Sequence, residues 1–195
     1  AKGPGLRSIL GTHPERLSAS VAEAIKAGCQ GIIARSVVMN DRRLESHPEW
    51  SQRLLEAIPG SIHADIAGVT SPVTTPEDKR SMNLATGAVA VDMESFLSID
   101  AAVTHDLPFA AVRVVADPSH RALPPAAIGT LLADGTPDIS AVMRSVLAQP
   151  SQLSSLVRLA LDARAARATL TRLRSRIGSG FGLHDLADAM FTPAE

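Results

Sequence analysis

The stretch Thr86-Gly87-Ala88-Val89-Ala90-Val91-Asp92-Met93-Glu94-Ser95, followed after Leu107-Pro108 by Phe109-Ala110-Ala111-Val112-Arg113-Val114-Val115-Ala116-Asp117, decides the fold class. Each run is short, mostly apolar and preceded by Gly or Pro, as expected of a strand buried on both faces. Between them, Met93-Glu94-Ser95 leads into a helix that the pattern extends to His105. Strand, helix and strand in succession predict a right-handed crossover with the two strands parallel, and so an α/β fold. In that arrangement Glu94 and Asp117 both lie just beyond carboxyl ends of strands, where open α/β sheets bind ligands.

Working outward, residues 61–68 carry isoleucines at 62 and 66 after Pro59-Gly60 and form another expected strand. Thr75-Pro76-Glu77-Asp78 combines an N-cap, a proline at the first helical position and early acids, predicting a helix to about Thr86 that Gly87 stops. Residues 31–34 read as a buried strand, and Val21, Ala24 and Ile25 at helical spacing predict a helix over 18–27 closed by Gly28. Cys29 sits at that helix-to-strand junction as a buried structural thiol; a single cysteine allows no intramolecular disulfide.

Composition narrows the partners. A chain of 195 residues with 45% hydrophobic and 20% charged residues suits one globular domain, 1–195, with a sizeable core. A net charge of −1 supplies no overall basic field, which argues against a nucleic-acid partner. No signal-peptide pattern opens the sequence and no apolar run is long enough to span a bilayer, so a cytoplasmic protein is expected. The six histidines show no pairing with carboxylates at metal-ligand spacing, and no metal is expected.

A carboxylate beside a sugar can accept hydrogen bonds from two hydroxyls at once, and that contact can strengthen as positive charge develops on the ring. Glu94 suits such a role. A carboxyl partly buried against a purine holds its proton more tightly and can pass it to the base as the glycosidic bond breaks. Asp117 suits that one. Spacing alone leaves another account open: Glu94 as an exposed residue favoured at a helix start, and Asp117-Pro118 as the opening of a turn.

The two quoted stretches together resemble the nucleoside phosphorylase family, which includes purine nucleoside and uridine phosphorylases and methylthioadenosine nucleosidases. The resemblance implies a three-layer α/β/α fold with a central mixed sheet. It also implies that Met93 and Glu94 hold the ribose and that Asp117 serves the base. Upstream, Gly68-Val69-Thr70-Ser71-Pro72-Val73-Thr74 with Glu77-Asp78-Lys79-Arg80 is similar to the family's base-binding loop and next helix. It implies that Val73 packs on the base while backbone groups around Val73 and Thr74 hydrogen-bond it; an ordinary β-turn is the alternative. Asp117-Pro118-Ser119-His120-Arg121-Ala122-Leu123-Pro124-Pro125-Ala126-Ala127 resembles the hopanoid-associated phosphorylase branch. That implies adenosylhopane as substrate, adenine as leaving base, inorganic phosphate as co-substrate, no organic cofactor, and a homo-oligomer.

The family's glycine-rich phosphate loop has no counterpart. Gly31-Ile32-Ile33-Ala34 runs directly into Arg35-Ser36-Val37-Val38, and the chain opens on Ala1-Lys2-Gly3-Pro4-Gly5 without a first hydrophobic strand. Segments are therefore expected to be missing before Ala1 and between Ala34 and Arg35. A true deletion would instead favour a hydrolase using water, or a nucleoside-binding accessory protein without activity. The phosphate-binding residues are unassigned; Arg121, four residues beyond Asp117, is a candidate, with a surface arginine as the plainer account.

Near the C-terminus, Leu156, Leu159, Ala163, Ala166, Leu170, Leu173 and Ile177 repeat at three- and four-residue steps, predicting an amphipathic helix at about 151–177. Arg158, Arg164, Arg167, Arg172, Arg174 and Arg176 fall mostly on the opposite arc. Such a helix can cap the sheet or join two copies. Its basic arc can also touch anionic lipid at the inner face of a membrane. Gly178-Ser179-Gly180-Phe181-Gly182 follows a helix and not a strand, so it ends that helix and forms no dinucleotide loop.

Overall fold

A computed structural model describes residues 31–128 and 138–183; the expected helix over 18–27 and Cys29 lie outside them. The described chain is a mixed α/β fold. Strands β1 (Ile32–Met39), β2 (Arg42–Glu45), β3 (Ile62–Gly68), β4 (Ala90–Asp92) and β5 (Val112–Arg113) form one sheet in the order β2-β1-β3-β4, with β5 also beside β1. Helices α1 (Pro48–Ala57), α2 (Pro76–Thr86), α3 (Ser95–Thr104), α4 (Ile139–Ala148) and α5 (Leu153–Ile177) accompany it. The pairs β1–β3 and β3–β4 are parallel, and β1–β2 is antiparallel.

The clearest local signals were in the caps. Thr75 Oγ1 accepts the Asp78 amide at 3.1 Å, Pro76 begins α2, and Gly87 closes it with φ 73°, a left-handed conformation that glycine adopts without steric cost. Strand β3 and helix α3 also fall where expected, whereas α1 and α4 were not anticipated. α1 is capped by His47, whose Nδ1 accepts the Trp50 amide, and α4 by Asp138.

The strand–helix–strand expectation needs correction. β5 pairs antiparallel with β1, Val112 opposite Ile33 and Arg113 opposite Ile32. The course of α3 explains this. Phe96 lies where a Cβ on Gly68 would come within 2.6 Å of it, and Asp100 bonds Arg42 at 2.6 Å. The helix thus crosses the carboxyl ends of β3 and β1 toward β2 and does not return the chain to the other end of the sheet. The next strand must descend beside β1, against the direction of β4. Phe96 and Ile99 bury their apolar surface on Val37, with Met39 and Leu44 packed around them, worth roughly 1.5–3 kcal/mol per fully buried side chain.

β4 is also shorter than expected and only half-buried, with Ala88 buried just before it. Among the described residues it stands at the end of the strand order, with β3 as its neighbour. Val89, Ala90, Ala111 and Val115 nevertheless pack on one cluster, Ile32, Ala34, Ala64 and Ile66, joining the surroundings of β4 and β5 across the sheet.

The junction expected to lack a segment is a continuous strand. Ala34 pairs with Ala64 and Val37 with Ile66, so two residues of β1, Arg35 and Ser36, stand opposite the single Asp65. This is a bulge, and its effect is chemical as well as geometric. Arg35 donates through Nε and Nη2 to Asp65 at 2.8 and 2.7 Å, and Ser36 Oγ donates at 3.0 Å. Arg43 of β2 adds a third cationic contact at 2.6 Å.

The C-terminal helix begins at Leu153, after a short 3₁₀ turn at Pro150–Gln152, and ends on Gly178. Ala166 and Leu173 are buried and Leu156, Leu159 and Ile177 half-buried, but Ala163 and Leu170 of the expected stripe are exposed. The six arginines are exposed as expected. Among the described residues no helix is long and apolar enough to cross a membrane.

Candidate active site

Three segments singled out in the sequence are tied together by hydrogen bonds. The Val69 amide donates to the Asp92 carbonyl at 2.9 Å, fastening the loop after β3 to the end of β4. The Leu123 amide donates to the Thr74 carbonyl at 2.8 Å, fastening the same loop to the segment after Asp117. Lys79, in the first turn of α2, then donates through Nζ to Asp117 Oδ2 at 2.5 Å, to the Arg121 carbonyl at 2.8 Å and to the Pro118 carbonyl at 3.4 Å. Its side chain is only 8% exposed, against 25% for Asp117.

Because β5 runs antiparallel, Asp117 does not lie beyond the carboxyl end of a parallel strand. It ends the extension Val114-Val115-Ala116-Asp117, held by Val115 in the core and by Lys79. One carboxylate oxygen is engaged by the lysine. The other takes no hydrogen bond among the described residues, and Asp117 lines a cleft of about 250 Å³ with Arg121, Pro124, Arg158 and Leu159.

Met93 and Glu94 follow β4, and both are exposed, Met93 at 44%. Glu94 is the residue before α3, yet its side chain caps nothing; its carbonyl accepts from Ser98. The capping role belongs to Asp92, which accepts the Ser95 amide at 3.0 Å and the Ser95 hydroxyl. Arg113 Nε meets Asp92 Oδ2 at 2.5 Å, and Arg113 Nη2 donates to Ser95 Oγ at 2.6 Å. This network pins β5 to the β4–α3 junction and leaves the Glu94 carboxylate free of partners among the described residues.

Val73 and Thr74 are half-buried. The Thr74 carbonyl already accepts from Leu123, so one lone pair remains for a ligand. Arg121 does not offer the open cation that phosphate binding requires: its Nη1 bonds Asp162 of α5, in a pair about one third exposed. No cluster of three or more His, Cys, Asp or Glu suited to a metal occurs among the described residues.

Sequence reasoning missed Lys79, Asp92 and Arg113 as partners. Lys79 lies 38 positions from Asp117, so only the folded chain joins them. Asp92 carried a readable signal: an Asp three residues before a serine at a helix start is an N-cap pattern.

No protein-family model matches the chain, and no curated protein matches it. Among solved structures, the chain is similar to the S-adenosylhomocysteine nucleosidase of Streptococcus pyogenes, determined in complex with 5-methylthiotubericidin. The two share 14% identity over 78% of this chain and 76% of that chain, with a TM-score of 0.43. A likeness at that level transfers no function.

Proposed function

We propose that the chain cleaves the N-glycosidic bond of an adenine nucleoside on the surface formed by residues 69–74, 92–94 and 117–123. The gathering of these three segments by the Val69–Asp92, Thr74–Leu123 and Lys79–Asp117 contacts carries the reading. Glu94, exposed and without a partner among the described residues, accepts the 2′ and 3′ hydroxyls while Met93 packs on the ribose. Val73 offers apolar surface to the base. As the bond between C1′ and the base breaks, its electron pair goes to the base, and a proton passes from the Lys79 ammonium through Asp117 to a base nitrogen. An oxygen nucleophile then bonds C1′. Glu94 acts where positive charge develops, so Glu94→Ala lowers kcat/KM for adenine release about 100-fold.

The nucleophile in this proposal is inorganic phosphate, with no organic cofactor. The resemblance of residues 117–127 extends the substrate to an adenosine joined to a membrane triterpenoid, as in adenosylhopane. Exposed Leu153, Val157 and Leu161 give α5 a surface for a second copy, and its arginines one for anionic lipid.

Hydrolysis is the second reading, favoured by β1 passing through the expected loop position as one strand and by Arg121 being held by Asp162. Adenine release from adenosine and from an adenosyl-lipid, with and without inorganic phosphate, separates these. Phosphorolysis predicts a phosphate-dependent rate and a ribosyl phosphate product. Hydrolysis predicts equal rates and a free ribosyl product. Absence of adenine release under both conditions refutes the proposal and leaves a nucleoside-binding accessory protein.

A further inference from the structure

A second cleft, of about 400 Å³, lies between α1, the segment around β5, and α5 with the turn that follows it. Its walls include Trp50, Phe109, Leu170, Ile177 and Phe181. The size falls within the range of small-molecule sites, which are largely apolar with a few placed polar groups. Two features suit it to a ligand. Phe181 has φ 49°, an unfavourable backbone conformation for an aromatic residue, and its carbonyl is fixed by the Trp50 indole N–H at 2.6 Å, so its ring is held at the cleft although 45% exposed. Arg174 also lines the cleft, in the last turn of α5, and its guanidinium has no partner among the described residues.

An apolar trough with a guanidinium unpaired among the described residues complements a molecule that has an apolar body and one anionic end. We infer that this cleft binds an aliphatic carboxylate, the chain lying against Trp50, Leu170 and Phe181 and the carboxylate on Arg174. Arg113 lines the same cleft while its guanidinium holds Asp92 and Ser95, so the ligand sits next to the strand end that presents Met93 and Glu94. The site stands apart from the proposed reaction, since it uses none of the residues assigned to the nucleoside.

Trp50 is the only tryptophan, which makes its fluorescence a local probe. Titration of the full chain with decanoate, below its micelle concentration, should produce a saturable spectral change. Arg174→Gln should weaken that binding about tenfold without altering the unliganded spectrum, equivalent to loss of one charge-assisted contact. Phe181→Ala should weaken it as well. Decyltrimethylammonium, with the same chain and the opposite charge, should give no saturable response. Equal responses to the two amphiphiles, unchanged affinity in Arg174→Gln, or no saturable change with decanoate would each overturn the inference. So would a spectrum that changes with protein concentration alone, since a second copy would then fill the cleft.

Discussion

Two aspartates, Asp65 in the sheet and Asp117 beside the cleft, both sit against cations but differ in how completely their oxygens are used. Asp65 is 5% exposed and accepts from two groups on each oxygen: Arg35 Nε and Ser36 on one, Arg35 Nη2 and Arg43 on the other. Asp117 is five times as exposed and has one oxygen on Lys79 and one that takes no hydrogen bond among the described residues. A saturated carboxylate is a structural fastener; an unsaturated one lining a cleft has capacity left for a ligand. The residue type is the same in both places, and the count of partners, with the exposure, separates the roles.

The largest test of that contrast is Asp117→Asn. It removes the group that relays the proton, so adenine release should fall by about 10² to 10⁴-fold. The melting temperature should fall as well, because the Lys79 ammonium, 8% exposed, would keep only the Pro118 and Arg121 carbonyls, so rates are compared per folded molecule. A large loss of stability with little loss of rate would reverse the assignment. Next comes Asp65→Ala, which takes the acceptor from the buried Ser36 hydroxyl and from Arg35 and leaves Arg43 only Ser36 Oγ. The arginines are 42% exposed and regain water, so the cost should be about 2–3 kcal/mol, below that of a fully buried pair. Chemical denaturation measures it, and the rate per folded molecule should not change.

Acid unfolding sharpens the same point. Burial pushes the Asp65 carboxyl up, but the bonds from Arg35, Arg43 and Ser36 outweigh it and hold the group below its ordinary value. The folded state therefore binds the proton less readily than the unfolded chain, whose aspartates titrate near ~3.9. The stabilisation is fully present above that value and is lost as pH falls through the lower folded value. Asp65→Asn should flatten the decline in stability below about pH 4. An unchanged acid limb would show that other carboxylates set it. The smallest effect is expected for Arg121→Ala, since the Arg121–Asp162 pair is about one third exposed; it should cost less than about 1 kcal/mol.

What could be read in the sequence follows the range of the forces involved. Caps and breakers act within a few residues, so α2 emerged with its Thr75 start and Gly87 stop, and the long C-terminal helix with nearly its full extent. The direction of β5 was misjudged because it depends on α3 crossing the sheet transversely, a matter of packing between Phe96 and Gly68. Glu94 follows the end of β4 as expected, whereas Asp117 ends an extension of the antiparallel β5 and not a parallel strand. The Lys79 contact that distinguishes Asp117 joins residues 38 positions apart and had no local signature. At Ala34-Arg35 the sequence suggested an interruption, whereas a bulge opposite Asp65 accommodates both Arg35 and Ser36 within one strand.

The most direct measurement of the central claim is release of free adenine from a 5′-substituted adenosine by the wild-type chain. Base and ribosyl products would be separated and quantified over time, with folded Asp117→Asn at equal concentration as the control. The expected result is saturable release proportional to protein and at least about 100-fold faster than in the variant. Release indistinguishable from the Asp117→Asn protein would contradict it.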